Sequence, residues 1–351
     1  MMNNYSSRRV VVLGAGGYAG QELLRLLASH PGFQLAAACS SGRAAGPQRL
    51  AEIAPGLAGV FRLRGEPEPP CLPISDEAVH EAQAELAFLA TPHEVSLEWA
   101  PRLLAAGLRV VDLSGAFRFP VPETFERWYG MPHSAREWLA QAVYGWPEKN
   151  RGRLPGARLV ANPGCYATAA LTALWPLIEA QAIEPGGVIC DAKSGASGAG
   201  KGLREDLHFV ELSGNCKAYG LYTHRHTPEI ALHAGMETEA LTFTPHLLPL
   251  RRGLLATSYV RLRPGWDAAA VLDLYQRAYQ DAPCVRIHSQ GLPDLQMVTR
   301  TCFCDLGFRL HPSRPQATIV TCLDNLLKGA ASQALENANL MCGYPQAAGL
   351  A

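Results

Sequence analysis

The sequence has no surplus of charge of either sign: 31 Lys and Arg balance 31 Asp and Glu over 351 residues. A chain without a basic excess offers little to a phosphate backbone or an anionic bilayer, so neither nucleic acid nor a membrane surface is an expected partner. No apolar run reaches the ~18 residues that a membrane-spanning helix needs. The stretch Met1–Arg9 has two arginines but no apolar core, and no signal peptide is expected. Ten cysteines are present, yet no Cys-x-x-Cys spacing occurs and the closest pair is Cys302-Phe303-Cys304. That pattern supplies neither a structural zinc site nor a disulfide framework, and it points to reduced thiols in a cytoplasmic protein. With 48% hydrophobic and 18% charged residues the chain reads as globular. Its length predicts about two domains at ~150 residues each.

A further absence bears on cofactor choice. Val10-Val11-Val12-Leu13 is a short apolar run typical of a buried parallel strand. It leads into Gly14-Ala15-Gly16-Gly17-Tyr18-Ala19-Gly20 and then an amphipathic run, Glu22-Leu23-Leu24-Arg25-Leu26-Leu27. Strand, glycine turn and helix form the context of a dinucleotide fingerprint, in which glycines let the backbone approach a pyrophosphate. Two frames fit, Gly14-x-Gly16-x-x-Ala19 and Gly14-x-x-Gly17-x-x-Gly20; a ligand-free turn is the alternative. The second strand, from Phe33 to Cys39, lacks the acid that would bind a ribose 2′-hydroxyl, since none stands before Glu52. Ser40, Ser41 and Arg43 stand there instead, which suits the 2′-phosphate of NADP. Later strand ends carry Thr91-Pro92-His93 and Ser114-Gly115-Ala116-Phe117-Arg118, at the edge where ligands bind in such sheets. Arg118 reads equally as a ligand group or as a loop arginine.

The stretch Asn162-Pro163-Gly164-Cys165-Tyr166-Ala167-Thr168 is the focus of the chain. Asn162 is a candidate N-cap and Pro163 a candidate first helical residue. The spacing of Tyr166, Ala169, Ala173 and Leu177 predicts a helix from Cys165 to about Leu177, with one face on a core. Cys165 then lies in the first turn, where the helix dipole and unpaired N–H groups favour a thiolate. A free cysteine is more often a small buried hydrophobe; the Asn-Pro-Gly lead shifts the reading toward a nucleophile. A second glycine-rich loop, Lys193–Lys201, lacks Walker spacing, so a nucleotide P-loop is not expected. His224-Arg225-His226-Thr227-Pro228-Glu229 puts two histidines on one side of an extended segment. No further metal ligand stands at a recognisable spacing, so a Cys–His pair is favoured over zinc. A Cys–His hydrolase or acyltransferase and an NADP-sensing regulator remain open on these residues alone.

Taken together, the Gly14–Gly20 loop, Asp112-Leu113-Ser114 with Phe117-Arg118, Asn162–Thr168, Lys193-Ser194-Gly195, His224–Ile230 and Asp324-Asn325-Leu326 resemble the N-acetyl-gamma-glutamyl-phosphate reductase family. Ala167 stands where that family often has Pro. The resemblance implies an α/β fold, with a Rossmann-type dinucleotide-binding domain over residues 1–161, completed by a C-terminal helix within 324–351. Residues 162–323 would form an α/β catalytic domain of the aspartate-semialdehyde dehydrogenase type. It implies NADPH-dependent reduction of N-acetyl-glutamyl phosphate through a Cys165 thioester, in arginine biosynthesis, by a dimer or tetramer. Reductases of aspartyl phosphate or a carrier-linked aminoadipyl phosphate are the nearest relatives. The implied roles are His224 as acid and base, and Arg118, Ser194, Gly195 and His226 on the substrate. Gly14, Gly16, Gly17, Tyr18, Ala19, Ser40, Ser41, Arg43, Thr91, Pro92, Ser114, Ser197, Gly198 and Asn325 would line the cofactor.

Overall fold

A computed structural model describes residues 6–40, 48–63, 66–184 and 186–350. The chain divides into two compact units. The first comprises Met1–Glu126, Met131–Pro163 and Ala330–Ala351; the second comprises Arg127–Gly130 and Gly164–Gly329. The chain therefore crosses after residues 163 and 329, two and six positions beyond the expected 161 and 323. Asn162 explains the first difference: its side-chain amide donates to the carbonyls of Pro163 and Ala330 and its oxygen accepts from Asn337, all within the first unit.

The first unit holds seven strands: β1 Arg8–Leu13, β2 Phe33–Ser40, β3 Cys71–Pro73, β4 Leu86–Leu89, β5 Arg109–Asp112, β6 Ala142–Tyr144 and β7 Leu159–Ala161. Their order is β3-β2-β1-β4-β5-β7-β6, and every pairing is parallel. Helices cover both faces of such a sheet, which is why its strands read as unbroken apolar runs. Val10, Val11, Val12 and Leu13 are all fully buried, as are Leu86 to Leu89. The stretch 54–73, which reads as irregular, forms two short helical turns and β3 around the undescribed residues 64 and 65.

The second unit holds β8 Val188–Gly195, β9 Lys217–Ala218, β10 Leu241–Leu248, β11 Leu254–Arg261, β12 Val285–Ile287, β13 Cys304–Leu310 and β14 Gln316–Leu323. Their order is β12-β13-β14-β11-β8-β10-β9, with parallel and antiparallel pairs mixed. Here β10 alternates buried and half-buried residues along its whole length, the period-two signature of a sheet covered on one face. The helix Cys165–Glu179 is the core of this unit and is buried from Tyr166 to Leu174, more completely than one apolar face requires. Hydroxyls bond to its carbonyls: Thr321 to Ala169, Tyr275 to Ala173 and Tyr279 to Thr172. Among the described residues no helix is long and apolar enough to cross a membrane.

Candidate active site

In the first unit the turn after β1 is built from close backbone approaches. Gly14 has φ +85°, and a Cβ there would lie 2.6 Å from the Ala90 carbonyl carbon. A Cβ on Gly20 would overlap the Gly14 carbonyl oxygen and lie 2.9 Å from the Ala15 Cα. Gly14 makes the tight turn and Gly20 lets the helix Tyr18–Leu27 pack on it, so these two glycines carry the packing. Gly16 is different: among the described residues the only neighbour a Cβ would meet within 4 Å is the Ser40 Cβ at 3.9 Å. Its glycine leaves an open approach beside the end of β2, as a pyrophosphate cradle requires. Ser40 ends β2, and its hydroxyl donates to Gln48; Ser41 and Arg43 lie outside the described residues.

The neighbouring strand ends are tightly wired. The Thr91 hydroxyl pairs with that of Ser96 at 2.8 Å, and Pro92 precedes the helix His93–Ala105. Ser114 donates its backbone N–H and its hydroxyl to the carboxylate of Asp112. Full burial pushes the Asp112 carboxyl up, while bonds from Ser114 and Ser96 and the charge of Arg118 pull it down. Arg118 is itself buried; it donates Nε to the Asn162 carbonyl and a terminal nitrogen to the Leu113 carbonyl. One donor therefore holds the segment that leads to the Cys165 helix, and another holds the end of β5.

In the second unit the Cys165 helix opens differently from the sequence expectation. Its N-cap is Gly164, with φ −71° and ψ 150°, and no side chain caps it; Asn162 is two residues too early. The Gly164 N–H donates instead to Oε1 of Glu229 at 2.8 Å. Glu229 is fully buried on the helix His226–Ala234, and its Oε2 lies 3.9 Å from His226 Nε2. The His226 ring presses on Gly164, where any Cβ would overlap its Nε2. On the other side a Cβ on Gly329 would lie 2.7 Å from the Cys165 Cβ. Glycine is required on both flanks of Cys165 because an imidazole and a backbone turn occupy the space. The sequence places Glu229 in the His224–Ile230 motif and Gly329 in Lys328-Gly329-Ala330-Ala331 but assigns neither a role; the i, i+3 spacing of His226 and Glu229 is the signal that points to the first.

The two histidines part company. His224 is enclosed by Tyr166, Tyr219 and Phe243, with ring centroids 5.6, 5.4 and 5.3 Å away. Its Nδ1 accepts the His226 backbone N–H at 3.1 Å. Burial, helped by the neighbouring His226, pulls its pKa down to about 3, so it is neutral at physiological pH. His226 begins a helix, so the two do not share an extended segment, and only His226 lies against Gly164.

Ser194 and Ser197 are buried in the second glycine loop. Gly195 closes on the Leu250–Arg252 backbone, and a Cβ on Gly198 would lie 3.0 Å from the Ser194 hydroxyl. Asn325 accepts the Gly253 N–H and donates to the Ser197 hydroxyl, so its amide ties two loops together. Among the described residues no group of His, Cys, Asp or Glu could hold a metal ion, and none of the ten cysteines is in a disulfide.

Residues 9–157 match the semialdehyde dehydrogenase NAD binding domain, and residues 165–325 the semialdehyde dehydrogenase dimerisation domain. The chain is 41% identical over 348 residues to an N-acetyl-gamma-glutamyl-phosphate reductase of Symbiobacterium thermophilum, covering 97% of each. It is 44% identical to the one of Halorhodospira halophila, with the same coverage. Aspartate semialdehyde dehydrogenase II of Vibrio cholerae shares the fold, with a TM-score of 0.70 at 18% identity over 95% of this chain and 98% of that one. A Candida albicans aspartate semialdehyde dehydrogenase, solved with NADP, aligns with a TM-score of 0.63 at 14% identity over 96% of this chain and all of the other. With identity above 40% along almost the whole length, the chain belongs to the N-acetyl-gamma-glutamyl-phosphate reductase family.

Proposed function

We propose that this protein reduces N-acetyl-L-glutamyl 5-phosphate to N-acetyl-L-glutamate 5-semialdehyde, releasing phosphate, as a cytoplasmic step of arginine biosynthesis. The observation that carries the mechanism is Cys165 at the first position of a helix whose cap is gripped by Glu229 and overlain by His226. The open approach at Gly16 and the missing acid after β2 fit NADPH, which when bound supplies the hydride.

Cys165 attacks the acyl carbon and its sulfur forms a thioester as the C–O bond to phosphate breaks. A thioester accepts hydride more readily than an ester, which is the reason for sulfur at this position. Reduction gives a thiohemiacetal; its C–S bond then breaks, the aldehyde leaves and the thiolate is regenerated. His226, rather than His224, takes the thiol proton and serves the carbonyl oxygen. Its position against Gly164 supports this, whereas the Nδ1 of His224 already accepts a backbone N–H. Glu229 is a positioning residue: one carboxylate oxygen fixes the helix cap and the other lies 3.9 Å from His226 Nε2. Arg118 holds Asn162 through Nε, and its planar guanidinium is the group of this site suited to the substrate phosphate.

The test is phosphate-dependent NADP reduction with a panel of semialdehydes. N-acetyl-glutamate semialdehyde should turn over at least about 100-fold better than aspartate semialdehyde, whose ammonium is costly to bury unpaired. Robust turnover of aspartate semialdehyde, or demand for a carrier protein, moves the assignment to a relative.

A further inference from the structure

The first unit closes on the helix Ser332–Met341, which is buried along nearly its whole length and carries Glu336, Asn337 and Asn339 inward. Buried polar side chains are kept where each finds a partner or serves one. Glu336 accepts from Gln346, and Asn339 donates to the Gln346 and Ala348 carbonyls. Asn337 is different. Its Nδ2 donates to the Gly145 carbonyl at 2.7 Å and to Asn162 Oδ1 at 3.0 Å. Its own oxygen has no hydrogen-bond partner among the described residues. Both groups it faces are acceptors, so the amide meets them with its nitrogen in either case. Asn337 is thus held in the core for its two N–H groups. Gly145 makes room for it, since a Cβ there would overlap Nδ2 and lie 2.9 Å from Cγ.

The chain of bonds ends on the peptide ahead of Cys165. Asn162, bonded by Asn337 at its oxygen, donates through Nδ2 to the Pro163 and Ala330 carbonyls at 3.3 Å each. Its backbone N–H donates to the Asp112 carbonyl and its backbone carbonyl accepts Arg118 Nε. Both polar groups of the Pro163–Gly164 peptide are therefore held: the oxygen by Asn162, the N–H by Glu229. Cys165 is the next residue. The Ala330 carbonyl follows Gly329, the glycine that lies against the Cys165 Cβ. One amide, Asn162, so bonds the backbone next to both glycines that flank the thiol.

We propose that Asn337 is a positioning residue for Cys165, acting through the Asn162 amide. Without the Asn337 donor, Asn162 Oδ1 is a buried acceptor with no partner. Turning that amide over does not repair the loss, because its oxygen would then face the Pro163 and Ala330 carbonyls. The Pro163–Gly164 peptide is left to Glu229 alone, and the first turn of the Cys165 helix loses its fixed start. The helix dipole and first-turn N–H groups then favour the thiolate less. The effect on turnover rests on Cys165 being the nucleophile of the proposed reaction; the effect on the thiol does not.

The experiment uses Asn337→Ala, Asn337→Ser (whose hydroxyl is too short to reach Asn162), Asn162→Ala and the double variant with both alanines, all in the full chain. Iodoacetamide alkylation of the folded protein, quantified by mass spectrometry on the Cys165 peptide, reads the thiol directly. Phosphate-dependent NADP reduction reads the reaction. In both Asn337 variants Cys165 should be alkylated at least about fivefold more slowly at pH 7. Their kcat should fall at least about tenfold, with NADPH affinity changed less than about twofold. The double variant should be no worse than Asn162→Ala, because the two residues act in series. Where Asn337→Ala does not fold, Asn337→Ser and Asn162→Ala carry the same comparison. A lowered urea midpoint with unchanged alkylation and kcat reduces Asn337 to a packing residue and overturns the proposal, as does a double variant whose losses add. Slower alkylation in the Asn337 variants, alongside an active Cys165→Ser protein, upholds the positioning of the thiol and rejects the thioester instead.

Discussion

Two helices of this protein begin alike and serve different ends. Tyr18–Leu27 follows Gly17 at φ −73° and ψ 165°, and Cys165–Glu179 follows Gly164 at φ −71° and ψ 150°; neither has a side-chain cap. At the first, a Cβ on Gly16 would meet only Ser40 among the described residues, and a helix start of this kind favours an anion. At the second, the Glu229 carboxylate has taken the cap N–H and the His226 ring covers the cap. In the proposed reaction the open helix start takes the diphosphate of NADPH, whereas the start gripped by a carboxylate presents its own first residue, Cys165, as the nucleophile. The sequence of the cap does not separate the two cases, since both are glycine. What lies over the glycine does.

The largest way to break this contrast is Cys165→Ser. Turnover should fall by at least about 1000-fold, roughly 4 kcal/mol of transition-state stabilisation, while NADPH titration is unchanged. Mass spectrometry after mixing with the acyl phosphate, without cofactor, should place an adduct on the Cys165 peptide. An active serine variant or an adduct elsewhere rejects the thioester.

Next comes the same substitution at both caps. Gly164→Ala drives a methyl group into the His226 ring and should lower kcat about 100-fold. In Gly17→Ala the methyl meets nothing nearer than the Gly14 oxygen at 3.4 Å, and stability should move by less than about 1 kcal/mol. Equal effects at the two caps would erase the distinction.

Within the first unit, Gly20→Ala should cost about 2 kcal/mol in urea unfolding, because the methyl overlaps the Gly14 carbonyl and sits 2.9 Å from the Ala15 Cα. The parent Gly20 is thus a packing glycine, and Gly16→Ala should leave stability near normal while weakening NADPH binding. Smaller again is the cofactor preference. The loss of one charged phosphate contact is worth ~1.5 kcal/mol, so NADPH should be favoured over NADH by at least about tenfold. Equal efficiency with both would show that the residues after β2 do not read the 2′-phosphate.

Much of this was legible before any coordinates, and the reason differs by element. The unbroken apolar runs of β1 and β4 announce a parallel sheet because both faces are covered. Cys165 announces itself because helix starts have a local grammar of small and polar residues. Asn162 misleads for the same reason: it has the right chemistry for a cap, but its side chain is committed to Ala330 and Asn337, more than 160 residues away in the chain. The His224 and His226 pair could not be split by spacing, since their difference lies in which faces of the rings meet Tyr219, Phe243 and Gly164. Long-range contacts of this kind leave no periodic trace.

The smallest effect tests what the two units share. Each buries a neutral histidine whose Nδ1 accepts backbone N–H groups: His30 takes those of Gly32 and Phe33, and His224 takes that of His226. Burial pulls His30 down to about 4, against the bond from Asn339 that would raise it, and pulls His224 down to about 3. Protonating either Nδ1 removes an acceptor that a backbone N–H depends on. Both folded-state values lie below the unfolded value of about 6.5, so the unfolded chain binds a proton first. The stability these groups contribute is therefore complete above pH 6.5 and is lost progressively as the pH falls toward 4 and 3. At pH 6 the loss should be about 1 kcal/mol per histidine relative to pH 8. Urea midpoints across this range check it, with His30→Gln flattening the first unit's share and His224→Gln the second's. A midpoint that stays level from pH 8 to 5 in the unmodified protein would show that neither histidine is held neutral by its unit.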